Sequence, residues 1–143
     1  MAPSSVAAVR RLAQATNEHD LDAIVACFAE GYLNETPAHP ERGFRGKEQV
    51  RRNWEQILTG VPDLTARILA VIENADTVWS EWQMIGTRRD GSAHEMRGVI
   101  IFSVDAGLIS TARFYLEPVE RTSGTVDDAV RRVLTPPAAD LPT

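Results

Sequence analysis

The side chains in this sequence able to do acid–base or nucleophilic chemistry near neutral pH are His19, His39, His94 and one cysteine, Cys27. Histidine's ordinary pKa near ~6.5 suits it to move a proton during enolisation or ring closure. His94 is the candidate for that role; its plainer reading is a residue at a hairpin mouth after Ser92, exposed or bonded to Glu95. His39, in Pro37-Ala38-His39-Pro40, either covers a pocket mouth or meets solvent, and His19 in an inter-helix turn reads as structural. Cys27 lies among Ile24, Val25 and Phe28 with no neighbouring His or Asp to activate it, so it reads as a small buried side chain. Tyr32 and Asn34 share one face of an extended segment, where a hydroxyl and an amide could polarise a carbonyl or hold a water; ordinary sheet-edge bonding is the alternative. The histidines show neither HxH nor HxxxH spacing, and there is no GxGxxG, P-loop or GxSxG, so the reading calls for no metal and no cofactor.

These residues need elements to hold them. Ser4 or Ser5 caps a first helix with Val6, Val9 and Leu12 at helical spacing. Asp20 caps a second, with Leu21, Ile24, Val25 and Phe28 as its stripe and Gly31 as its end. A short strand over Tyr32 to Thr36 leads into a Pro/Gly-rich loop, Pro37 to Gly46, and a third helix spans Lys47 to Leu58 with Val50, Trp54, Ile57 and Leu58 on one face. After it the pattern changes to strands. Strands are predicted over Leu64 to Glu73, Thr77 to Thr87, Ala93 to Val104 and Leu108 to Leu116, separated by compact hairpin signals such as Arg89-Asp90-Gly91 and Asp105-Ala106-Gly107. Thr125 starts a short C-terminal helix whose Val126, Val130, Val133 and Leu134 need a surface to cover.

At 143 residues and 43% hydrophobic the chain makes one domain with enough apolar material for a core and a lined cavity. A net charge of -5, with Arg10-Arg11, Arg51-Arg52, Arg88-Arg89 and Arg131-Arg132 scattered among acids, argues against a nucleic-acid partner. No run approaches the ~18 apolar residues of a membrane span and the start lacks signal-peptide character, so a cytoplasmic protein without membrane association is expected.

The stretch from Gly107 to Pro118 carries a resemblance. Its Arg113-Phe114-Tyr115-Leu116-Glu117-Pro118 is similar to the last strand of SnoaL-like polyketide cyclase domains, of the nuclear transport factor 2-like superfamily, which often reads Arg-Asp-Tyr, a variable residue and Asp-Pro. Asp20-Leu21, Gly43-Phe44-Arg45-Gly46, Val61-Pro62-Asp63-Leu64 and Gly86-Thr87 extend it, in order, over about residues 6 to 118. The resemblance implies an α+β cone: three N-terminal helices packed on a curved, mainly antiparallel sheet, with the short C-terminal helix added. Residues 1–121 would form the cone and 122–143 the extra helix and a disordered tail. Where hydrolytic relatives have an Asp base this chain has Phe114, and where they have an Arg-x-Asp pair it has Trp82-Gln83-Met84, so epoxide hydrolysis is not expected.

The resemblance also fixes which strand face looks into the cavity, because side chains alternate. It implies Ala112, Phe114 and Leu116 inward, with Arg113, Tyr115 and Glu117 outward unless a bulge turns Glu117 in as a replacement carboxylate. It likewise places His94, Met96, Gly98, Ile100 and Phe102 inward. The implied site has His94, Tyr32 and Asn34 as catalytic groups and Phe28, Thr36, Trp54, Trp82, Met84, Met96, Ile100, Phe102, Phe114 and Leu116 against the ligand, with Ile24 and Leu58 also in the cavity wall. Such a large, aromatic, mainly apolar cavity suits a small, flat hydrophobic molecule with one or two carbonyl or hydroxyl oxygens. Two readings follow: a cofactor-free cyclase or isomerase acting on a polyketide-, terpenoid- or steroid-like substrate, or a non-catalytic pocket or dimerisation protein without the family's base. Trp79 and Tyr115 on the outer face predict a homodimer.

Overall fold

Ser4 and Asp20 cap the first two helices as their side chains allow: Ser4 Oγ accepts from the Ala7 amide and Asp20 from the Ala23 amide. The computed structural model describes residues 4–122 and 124–137. In chain order the elements are α1 (Ser5–Asn17), α2 (Leu21–Ala26), β1 (Phe28–Glu35), a 3-10 turn (Pro40–Arg42), β2 (Phe44–Arg45), α3 (Lys47–Gly60), β3 (Thr65–Asn74), β4 (Thr77–Thr87), β5 (Ala93–Asp105), β6 (Leu108–Pro118) and α4 (Val126–Leu134). The strands form one curved six-stranded sheet in the order β2-β1-β6-β5-β4-β3; β1 runs parallel to β6 and every other pair is antiparallel. This is the α+β arrangement expected from the sequence.

Two local expectations are corrected. The second helix stops at Ala26 instead of continuing to Gly31, and Phe28 belongs to β1. Cys27 closes the helix, its carbonyl accepts from the Ile109 amide, and Phe28 pairs with Ile109, so the non-local sheet bond outcompetes one more helical turn. The loop from Pro37 to Gly46 also contains a short edge strand, β2, paired with Leu33 and Asn34.

The inner face of the sheet closes the core with α1 and α2. Trp82, Phe102, Ile100, Ile109, Val78, Ile24 and Leu64 are among its fully buried side chains. The indole N–H of Trp82 donates to Ser80 Oγ at 2.8 Å, and Ser80 donates to the Ile100 carbonyl at 2.7 Å, which removes the cost of burying both polar groups. Asn17, at the end of α1, pairs with Ala66 in both directions, as another strand would. His19 adopts φ 56° and its Nε2 lies 2.7 Å from the Leu64 carbonyl, a structural role. Gly98 is required by packing: a Cβ there would sit 2.0 Å from the Tyr115 carbonyl oxygen.

The outer face leaves Trp79 at 51% and Tyr115 at 42% exposure, beside Ile72 and Ile85. The stripe of α4 is exposed as well, Val133 at 83%, although its Thr125–Asp128 capping box is intact. Of the tail expected to be disordered, residues 138–143 lie outside the described residues. Among the described residues no helix is long and apolar enough to cross a membrane.

Candidate functional site

An amphipathic helix roofs an apolar recess on the inner sheet face. Val50, Asn53, Trp54 and Ile57 fall at i, i+3, i+4 and i+7 on α3, so all four turn the same way, towards β1, β4, β5 and β6. Below them lie Phe28, Tyr32, Asn34 and Thr36 from the first strand and its exit, Phe44 from β2, and Met84, Met96, Phe114 and Leu116 from the meander. Arg42, on the 3-10 turn, completes the wall. The recess has a volume of about 280 Å³, near the lower limit of ~300 Å³ for small-molecule sites. That is room for a molecule of about two fused rings.

Three residues expected against the ligand do not reach it. Trp82, Ile100 and Phe102 share the inner face with Met84 and Met96, but they lie deeper, where α1 and α2 cover the sheet, and are 0–1% exposed. Trp82 packs on Phe102 with ring centroids 6.2 Å apart, a core contact. Leu58 likewise packs against the core while its neighbour Ile57 lines the recess.

His94 is also absent from the wall. It keeps the inward register, opposite Gly86 and two residues beyond Met96, a step of ~6.6 Å along the strand. At that level the inner face is already occupied by the turn after α3: a Cβ on Gly86 would meet Val61 at 2.3 Å. Partial burial, helped by the charge of Arg88, lowers the His94 pKa from its ordinary 6.5. Glu117 does not turn inward either. It keeps the outward register opposite Arg97 and its carboxylate holds His39 Nε2 at 2.8 Å, so neither residue enters the recess.

Tyr32 and Asn34 do meet there. The Tyr32 hydroxyl donates to Asn34 Oδ1 at 2.8 Å, and the ring is fixed edge-on by Phe28 and Phe44 at 4.7 and 6.1 Å. Burial raises the phenol pKa far above its usual range, so it remains a neutral donor. With its oxygen occupied, Asn34 keeps its N–H₂ for the recess. No Asp, Glu, His, Lys or Cys is among the lining residues, and among the described residues no three such side chains cluster as a metal site.

Arg42 and Asn53 are the polar members that reading the sequence missed. Asn53 carried a signal: an amide inside the apolar stripe of α3. Arg42 carried none, because an arginine in a Pro/Gly turn has no period.

Comparison with known proteins agrees with this fold. The SnoaL-like domain family matches residues 9–112. No curated protein matches the sequence. Among solved structures, Rv0760c from Mycobacterium tuberculosis, in complex with estradiol-17beta-hemisuccinate, is 22% identical over 80% of this chain and 94% of its own, with a TM-score of 0.69. A computationally designed 17-OHP binder is 24% identical over 80% and 93%, TM-score 0.68. The epoxide hydrolase/cyclase-like enzyme SalBIII, of pyran ring formation in the polyether salinomycin, is 20% identical over 80% and 90%, TM-score 0.69. The chain belongs to the SnoaL-like domain family, on the nuclear transport factor 2-like fold.

Proposed function

From a SnoaL-like domain with this recess we propose an isomerase- or cyclase-type activity on a small, planar, mainly apolar carbonyl compound, driven by stabilisation of an enolate without a base from the protein. The observation that carries it is the tethered pair: Tyr32 occupies Asn34 Oδ1 and turns the amide N–H₂ towards an apolar recess. An enolate oxygen held there gains a charge-assisted hydrogen bond in a poorly hydrated place. The α-proton of a dicarbonyl-like substrate is acidic enough to leave to water at the open mouth. The enolate carbon then takes a proton back at a new position, or bonds to a carbonyl carbon of the same molecule, whose alkoxide is protonated by water. Trp54, Phe114 and Met96 hold the chain in a folded shape for that closure. SalBIII's part in ring formation and the steroid-type ligands of the other two similar structures support a carbonyl-bearing, ring-forming or ring-shaped ligand class.

The test is hydrogen–deuterium exchange at the α-carbon of a cyclic β-diketone, followed by NMR. The wild type accelerates exchange, and Asn34→Ala removes about 100-fold of that acceleration. A wild type that binds the diketone but leaves its exchange at the free rate supports the second reading, a binding protein, which the lack of any titratable base in the recess favours.

We further infer a homodimer on the outer sheet face, since it leaves the large apolar side chains Trp79, Tyr115, Ile72 and Ile85 exposed, with Ile72 and Trp79 paired across β3 and β4. Sedimentation at micromolar concentration should report twice 15.8 kDa. A monomer there removes the inference.

A further inference from the structure

The polarity of the recess is set by hydrogen bonds that begin outside it. Arg52 can only donate, and its Nη2 donates to Gln49 Oε1 at 2.7 Å. Gln49 must therefore turn its amide nitrogen to Asn53, and Nε2 donates to Asn53 Oδ1 at 2.7 Å. Asn53 is left with its N–H₂ as the group free for the recess. Tyr32 imposes the same orientation on Asn34. Arg42, the remaining polar wall residue beside Thr36, is donor-only in its side chain; its backbone N–H donates to the His39 carbonyl at 2.9 Å, while its guanidinium makes no hydrogen bond or ion pair within the described residues. The turn that carries it packs tightly on β1: a Cβ on Gly43 would lie 3.2 Å from the Asn34 carbonyl oxygen, which keeps Arg42 close to Asn34. No acidic residue lines the recess to neutralise the guanidinium, and Glu117 is engaged by His39.

Resting on the pocket reading above, we propose that the ligand is an organic acid: a flat apolar body of about two rings whose carboxylate is held by Arg42, with Asn34 and Asn53 donating to its oxygens. Arg42 itself is solvent-exposed, so the carboxylate stays partly hydrated at the mouth and its desolvation cost is small.

The experiment compares a naphthoic acid with its methyl ester, which share the ring body and differ in charge and by one methyl group, by calorimetry and by quenching of tryptophan fluorescence. The wild type binds the acid about 10-fold tighter than the ester, and added salt erodes the preference. Arg42→Gln brings the two affinities within about two-fold of each other, and Arg42→Lys keeps part of the preference, because a point charge remains without the fork. Arg52→Ala, which releases Gln49 and hence Asn53, weakens acid binding without touching the ligand. Equal affinities in the wild type, or a preference that survives Arg42→Gln, overturn the acid assignment and leave the pocket reading standing. Binding of neither probe overturns both.

Discussion

Tyr32→Phe removes one oxygen and leaves the packing intact. The ring keeps its edge-on contacts with Phe28 at 4.7 Å and Phe44 at 6.1 Å, so the buried apolar area hardly changes. What disappears is the 2.8 Å donor to Asn34 Oδ1, in a pair only 1% and 8% exposed. A buried acceptor deprived of its donor costs ~1–3 kcal/mol. Asn34 borders the recess, where its amide can turn to water, which places the loss at the low end, ~1 kcal/mol, or a fall in melting temperature of about 3–5 °C. The functional loss is of another kind. Freed from the hydroxyl, the amide presents its oxygen as readily as its nitrogen, so affinity for a ligand carbonyl or carboxylate falls about 3- to 10-fold. Thermal unfolding and calorimetry on one preparation read both effects. Unchanged melting and unchanged affinity would show that the hydroxyl does not orient the amide; a loss well above ~3 kcal/mol would make Tyr32 a fold residue first.

Gly98→Ala drives a methyl against the Tyr115 carbonyl at 2.0 Å, and since that neighbour is backbone the two strands must part; denaturant unfolding should show a loss above ~3 kcal/mol. The His94 pKa is lowered on folding, so the native state takes up its proton less readily than the unfolded chain, and stability drains as pH falls from 6.5 towards the lowered value. His94→Gln should flatten that segment of the pH–stability curve and leave β-diketone exchange at the wild-type rate; lost exchange would return His94 to the chemistry. No terpene epoxide should be hydrolysed above the buffer rate, because no carboxylate lines the recess, and product detected by chromatography would contradict that wall. Ending the chain after Arg121 removes the exposed stripe of Val126, Val130, Val133 and Leu134; it should shift sedimentation towards monomer if α4 supports the dimer, and an unchanged profile assigns it no part.

The fold was legible wherever a period persisted. α1 and α3 showed 3.6-residue stripes, and the four long strands lay between compact turn signals, so the element order followed. Phe28 was misplaced because Leu21, Ile24, Val25 and Phe28 fit a helical stripe to the last residue, whereas the bond that claims the segment for the sheet comes from Ile109, far along the chain. β2, with two residues, is too short to have a period.

At the site, alternation told which face a strand residue occupies and could not tell how deep it lies. Trp82 and Met84 are on the same face, yet one is sealed under α1 and α2 and the other borders the recess, a difference created by where three helices end. The same blindness put His94 in the chemistry, one step beyond the point where the turn holding Val61 closes the cone. The feature with the largest chemical consequence is a sum over residues. By the family resemblance Phe114 and Met84 replace charged groups of hydrolytic relatives, and of the polar groups that remain, Asn34, Asn53 and Arg42 offer N–H donors, the amide oxygens being engaged by Tyr32 and by the Arg52–Gln49 relay, while the Thr36 hydroxyl can donate or accept. These N–H donors stabilise negative charge and cannot generate it. The reactions such a recess can assist are therefore those in which the substrate is itself the acid: a dicarbonyl whose enolate forms with water as the base, or a carboxylate already ionised when it arrives.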